Sequence, residues 1–182
     1  MQILTTSSFT KTPWKNGKGF TAELYRFPEN SSLADFDLRI SIADVNEDGN
    51  FSFFHGYKRF ISVLEGNYFL LSHNGNPFVK VNQFEIHSFS GSDPTFCKVD
   101  GQILKDFNVI VSEKLSEKVE VYFNPEIKLI NLNSDCIIYV VKGSVETENQ
   151  EMIQHGNLIM LSGLELRRLN LTNANLFLVE IT

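Results

Sequence analysis

Arg39, Arg59, Lys15 and Asn16 are the side chains of this sequence best suited to chemistry, and the chemistry that their types suit is recognition of an anionic group. A guanidinium presents a planar fork of donors that matches a carboxylate, a lysine adds a mobile point charge, and an asparagine offers both a donor and an acceptor. Lys15 and Asn16 lie in Pro13-Trp14-Lys15-Asn16-Gly17-Lys18-Gly19, where glycines allow close approach of the backbone to a ligand or a neighbouring strand. Trp14 adds a flat apolar face that serves either a ligand or the edge of the core. Arg39 and Ser41 share the polar face of an alternating segment, a face that is either solvated or turned into the mouth of a barrel. Asp106 and Asn108 are spaced as a turn pair that caps local backbone, or as two groups reaching the same ligand; spacing leaves both open.

Other chemistries lack their residues. His55, His73, His87 and His155 stand singly, and Cys97 and Cys136 are isolated, so no metal-ligand spacing is present. The expectation is a protein with no metal and no cofactor. Glu23, Asp106 and His55 are available as acids or bases, but no nucleophile–base pair is legible. The Gly-x-Gly at 17–19 is not followed by the residues of a phosphate loop.

The elements that must position these residues are strands. Phe20–Phe27 alternates and ends at Pro28; Phe36, Leu38, Ile40 and Ile42 form an apolar row opposite Asp37, Arg39 and Ser41. Asn74-Gly75 predicts a type I′ hairpin turn. The window 105–110 is the most helix-compatible, and the polar run 112–117 is the candidate link between two halves. Beyond it the sequence predicts short strands at 119–123, 127–132, 136–141, 144–147, 157–161, 165–171 and 176–181. Phe60–Gly66 followed by Phe84–Gly91 is echoed by Cys136–Gly143 followed by Gly156–Gly163, at a near-constant offset, which suggests a duplicated unit. Many short strands and almost no helix give an all-β fold. The expected form is a double cupin (bicupin), two jelly-roll-like β-barrels in one chain. Residues 1–113 would form the barrel with the site and 114–182 a degenerate one, with strands open to exchange between the halves.

Composition narrows the partners. The 182 residues carry a formal net charge of −6, which argues against nucleic acid, and no apolar stretch is long enough to span a membrane. No signal peptide is visible at Met1–Thr6, and two cysteines do not make a disulfide framework, so a cytoplasmic location is expected. The assembly stays open between monomer and homodimer.

Taken together, Pro13–Gly17, Phe36–Val45, Asp48-Gly49-x-Phe51-Ser52-x-Phe54 with Gly56 and Arg59, Leu64–Gly66, and Asp106–Asn108 resemble the HutD/Ves family of bacterial two-cupin proteins. The resemblance covers most of residues 10–110; the second half matches in strand texture alone. The sequence departs from the family pattern at Lys18, at Leu38 and at Phe54-His55-Gly56. The resemblance implies a link to histidine utilisation and a small acidic catabolite as ligand, with no established reaction.

The expected function is metal-independent binding of a small organic acid, with a regulatory or accessory role. Trp14, Lys15, Asn16, Arg39, Ser41, Arg59, Asp106 and Asn108 are the candidate ligand-binding residues. Two other readings are an isomerase or hydrolase acting on the same ligand class, and an interaction protein with a degenerate pocket.

Overall fold

A computed structural model describes residues 1–14, 17, 19–123, 129–132, 134–162 and 167–182, with backbone alone for 129–132, 167 and 168. In chain order the strands are β1 (Gln2–Leu4), β2 (Thr10–Pro13), β3 (Phe20–Phe27), β4 (Leu38–Val45), β5 (Gly49–Asn50), β6 (Tyr57–Glu65), β7 (Tyr68–His73), β8 (Val79–Asn82) and β9 (His87–Ser90). They continue as β10 (Thr95–Lys98), β11 (Leu104–Ser112), β12 (Val119–Phe123), β13 (Leu129–Leu132), β14 (Asp135–Glu146), β15 (Met152–Gln154), β16 (Leu158–Leu161) and β17 (Arg167–Ile181). Among the described residues no helix is long and apolar enough to cross a membrane.

The chain divides into two compact units, Thr10–Glu117 and Met1–Phe9 with Lys118–Thr182. The first holds a six-stranded sheet, ordered β2-β3-β4-β11-β6-β9, and a four-stranded sheet, ordered β5-β10-β7-β8. Ile61, Val63 and Phe89 of the larger sheet pack with Phe69, Leu71, Val81 and Cys97 of the smaller one, so the core of this unit lies between the sheets. Burial of these apolar side chains is the main force holding the two sheets face to face. The second unit is built on one sheet, β1-β16-β14-β17-β12, with β13 on β17 and β15 on β14. Its own cluster includes Ile138, Val140, Ile159, Leu176 and Leu178.

Several expectations need correction. The sequence predicts closed barrels; the sheets are open. The reason lies in the crossings: the chain passes from β6 to β7 at Gly66 and from β9 to β10 at residues 91–94, changing sheet at each turn without joining the ladders. The predicted helical window 105–110 is the heart of β11, a strand paired on both sides by β4 and β6. Leu104, Phe107, Val109, Ile110 and Val111 are all buried, and a strand covered on both faces reads as a continuous apolar run that periodicity cannot separate from helix. Four of the short C-terminal strands are two long ones, β14 and β17, paired over most of their length with register shifts around Val140–Ser144.

The predicted hairpin is present: Asn74 and Gly75 have φ of 55° and 73°, and the Asn76 N–H donates to the His73 carbonyl at 2.9 Å. At the irregularity in β14, Gly143 has φ of 75°. A Cβ there would sit against the carbonyls of Thr172 and Asn173, the former at 2.6 Å. Since both obstacles are backbone, Gly143→Ala is expected to destabilise the protein by about 1–3 kcal/mol, read as a lower urea midpoint. An unchanged midpoint would show that this bend is not held as described.

Candidate functional site

Alternation on the six-stranded sheet and the ladder registers bring three rows of side chains to the face turned toward the smaller sheet. The first row runs Arg26, Arg39, Ile110, Arg59, Phe89 across β3, β4, β11, β6 and β9. The second runs Glu23, Ser41, Asn108, Ile61, His87. The third runs Thr21, Ala43, Asp106, Val63. Neighbours within a row lie about 5 Å apart, the spacing of paired strands, so the polar members form one patch.

A bulge shapes that patch. The register of β3 against β4 shifts between Glu23 and Tyr25. Strict alternation would put Glu23 and Arg26 on opposite faces; the extra residue puts both on the same one. The Arg39 Nε–H donates to Glu23 Oε2 at 2.7 Å, and Arg26 Nε lies 3.1 Å from Glu23 Oε1 in an ion pair whose angle makes no hydrogen bond. Glu23 therefore bridges two guanidinium groups.

Arg59 is the deeper cation, 5 % exposed. Its Nη2–H donates to Asn108 Oδ1 at 2.8 Å and its Nη1–H to the Ser52 carbonyl at 3.3 Å. The rings of Phe51, Phe54 and Phe89 stand 5.1, 5.7 and 5.0 Å from its guanidinium carbon. Such cation–π contacts hold a charge that has lost its water. Burial pushes Arg59 down to about 10, with Asp106 opposing the shift and Arg39 adding to it. It stays charged at neutral pH, and its Nε has no hydrogen-bond partner among the described residues.

The aromatic segment over Arg59 is pinned from behind. The Phe54 N–H donates to the Gly91 carbonyl at 2.8 Å, and the Gly91 N–H to the Tyr57 carbonyl at 2.7 Å. A side chain at Gly91 would strike the Phe54 carbonyl, so only glycine lets the segment approach this closely.

Asp106 and Asn108 are not a turn pair; both are buried on β11. The Ala43 N–H donates to Asp106 Oδ1 at 3.1 Å, and the Asn108 side chain supplies a second hydrogen bond. Burial nevertheless pushes the Asp106 carboxyl up to about 6, against the pull of Asn108, Arg59 and Ala43 and with Asp44 adding to the rise. Arg59, Asn108 and Asp106 thus form a continuous chain, cation to amide to carboxyl.

Ser41 is buried beside Asn108 and Glu23 in the second row. Trp14 is half-buried, and its indole N–H donates to the Thr21 hydroxyl at 2.9 Å, which fixes it at the end of the third row. Lys15 and Asn16 lie outside the described residues. His55 is exposed and stacks on Phe53, with ring centroids 5.6 Å apart. Sequence reasoning names Glu23 as an acid or base and misses it as the hub between Arg26 and Arg39. It also misses the ring cage and the meeting of His73 with His87, whose Nε2 atoms are 2.9 Å apart. Among the described residues no three His, Cys, Asp or Glu side chains are arranged to hold a metal.

The arrangement has the means to bind an anion: three guanidinium groups against two carboxyls, one of them drawn toward its neutral form.

Comparison with known proteins supplies the context. The HutD family profile matches residues 6–178. An uncharacterised 21.2 kDa protein in the hutC 3′ region of Pseudomonas putida is 32 % identical over 171 residues, covering 94 % of this chain and 83 % of that one. Protein Ves of Escherichia fergusonii is 33 % identical over 98 residues, 53 % of this chain and 50 % of its own. Among solved structures, HutD from Pseudomonas fluorescens SBW25, determined in a formate condition, superposes with a TM-score of 0.84 at 26 % identity, covering 100 % of this chain and 97 % of that one. A cupin 2 conserved barrel domain protein from Leptotrichia buccalis gives 0.60 at 9 % identity, covering 100 % and 96 %, a likeness of fold.

Proposed function

The chain belongs to the HutD family, and from that premise we propose that it binds a small organic acid without a metal, in an accessory or regulatory role. The observation that carries this reading is Arg59: a buried guanidinium with one N–H unpartnered among the described residues, caged by three rings and close to a second arginine. A buried unpaired donor costs about 1–3 kcal/mol. A carboxylate arriving at Arg59 and Arg39 would satisfy it and relieve the repulsion between the two cations. Trp14, Lys15, Asn16, Ser41, Asp106 and Asn108 complete the proposed ligand set. The hut names among the relatives favour an intermediate of histidine degradation, such as a formylated or formimino amino acid.

A thermal-shift screen across histidine-degradation intermediates tests the reading. A ligand present at 100 times its dissociation constant adds ~2.7 kcal/mol of stability; silence across the whole set would sink it. Arg39→Met is expected to weaken binding by roughly tenfold to over a hundredfold, the loss of one charge-assisted hydrogen bond, with Glu23 keeping its contact to Arg26. Titration calorimetry checks this, and an unchanged dissociation constant would move the site off this face. Catalysis is the second reading, favoured by Asp106, whose pKa of about 6 suits proton exchange near neutrality. Turnover of the bound compound distinguishes it.

The same proposal takes residues 1–113 and 114–182 as the halves of a double cupin, with the first strand exchanged. Gly66 and Gly143 would then be equivalent, and both have positive φ, 107° and 75°. Superposition of the two halves in an experimental structure tests this.

A further inference from the structure

Two histidines fourteen positions apart in sequence meet across the seam between the sheets of the first unit. His73 ends β7 in the four-stranded sheet, and His87 begins β9 at the edge of the six-stranded sheet. Their Nε2 atoms are 2.9 Å apart, the ring planes are within 14° of parallel, and the centroids are 5.1 Å apart. The centroid separation exceeds the nitrogen separation by nearly the two ring radii, so the nitrogens face each other head-on. That is the geometry of an N–H···N hydrogen bond, and two ligands of one metal would instead converge on a point to the side.

Such a bond needs one hydrogen and one lone pair, and the surroundings say which ring supplies each. The Thr95 hydroxyl donates to the Asp93 carbonyl at 3.0 Å, so its oxygen accepts from His73 Nδ1–H at 2.9 Å. Neutral His73 then offers the lone pair on Nε2, and His87 supplies Nε2–H. One further proton fits on Nδ1 of His87 and leaves the bond in place. A second would put hydrogens on both facing nitrogens.

The pair is also joined to the candidate anion site. The Phe89 ring lies 4.6 Å from the His73 ring and 6.0 Å from that of His87, and the guanidinium of Arg59 also lies against it. The charged groups acting on the pair are Asp93 and Arg59 at His73 and Glu85 at His87. Burial holds both imidazoles below the ordinary histidine value, and the charges of His87 and Arg59 hold His73 lower still.

We propose that the His73–His87 bond is a proton-operated latch between the two sheets, shut when the pair is neutral or singly protonated and opened by the second proton, and that its state is transmitted through Phe89 to Arg59. Coupling between two sites is reciprocal. A proton on the pair and a positive Arg59 oppose each other, so an anion seated on Arg59 draws protons onto the imidazoles, and mild acid tightens anion binding. That last consequence rests on the anion-binding reading; the latch does not.

Nitrogen-15 NMR of the full chain without ligand tests it. At pH 8 the expected spectrum has His73 protonated on Nδ1 and His87 on Nε2. On acidification the pair should titrate in two separate steps, and the Arg59 Nε resonance should shift with them. In the double variant His73→Gln and His87→Gln, Arg59 should lose the part of its pH response that follows the imidazoles and keep the part that follows Asp106. Two independent single-step titrations with an unresponsive Arg59 in the natural protein would overturn the proposal, whether or not the variant folds. Binding of N-formylglutamate, expected to be at least tenfold tighter at pH 5.5 than at pH 7.5 in the natural protein and less pH-dependent in the variant, reads the coupling. No binding at any pH would sink the anion-binding reading and leave the latch to the NMR result.

Discussion

Arg59→Met is expected to remove anion binding, by more than a hundredfold in dissociation constant, and to cost about 3 kcal/mol of stability at pH 8, the order expected when one partner of a buried charge pair is deleted. The methionine fills most of the volume among Phe51, Phe54 and Phe89, so the loss comes from charge and hydrogen bonding more than from packing. It leaves Asn108 Oδ1 and the Ser52 carbonyl without their donor. It also leaves the buried Asp106 carboxylate without the cation that holds its pKa down. The stability cost should therefore shrink toward pH 5, where Asp106 takes up a proton and no longer needs Arg59. Urea denaturation at both pH values checks the difference, and adding Asp106→Asn should recover part of the loss at pH 8. A variant as stable as the natural protein at pH 8, and still binding, would mean that Arg59 is not the cation around which the site is organised.

Asp106→Asn alone should act in the opposite direction. The folded-state value of about 6 lies above the ordinary value of 3.8. A raised pKa means that the folded protein holds this proton more tightly than the unfolded chain does. The stabilisation is complete below the unfolded value and is lost as pH rises through the folded one. A shift of about two units corresponds to roughly 3 kcal/mol across pH 4 to 8. Asparagine keeps the acceptor for the Ala43 N–H and has no proton to lose. Relative to the natural protein, the variant should gain about that amount between pH 4 and pH 8. The imidazole pair has the reverse sign: its depressed values make stability fall as pH drops. Parallel stability curves for the two proteins would show that Asp106 is not buried as a charge.

What was legible in the sequence follows from where each strand lies. Segments covered on one face alternate, and β3 begins and ends at the predicted residues. The Asn-Gly turn is legible because its backbone demands residues that tolerate positive φ. Arg39 and Ser41 share a face by alternation, and alternation alone cannot say that this face is covered; that takes the second sheet. Glu23 and Arg26 show the limit most clearly. They meet because of a one-residue bulge, and nothing in their spacing marks it. His73 and His87 are legible one at a time and not as a pair, because the ladders that carry them belong to different sheets. The length of β14 and β17 was hidden by polar residues at their irregularities, which read as turns.

β1 carries a consequence for synthesis. Gln2, Ile3 and Leu4 pair with Met160, Ile159 and Leu158, so β1 finds its ladder partners more than 150 positions later in the sequence. The unit that contains them is discontinuous in the chain, while Thr10–Glu117 is a single uninterrupted run. Domains generally fold as they leave the ribosome, and contacts distant in sequence form late. The half that carries the arginine patch can therefore assemble while the other is still being translated. β1 must wait for this pairing until β16 has been made.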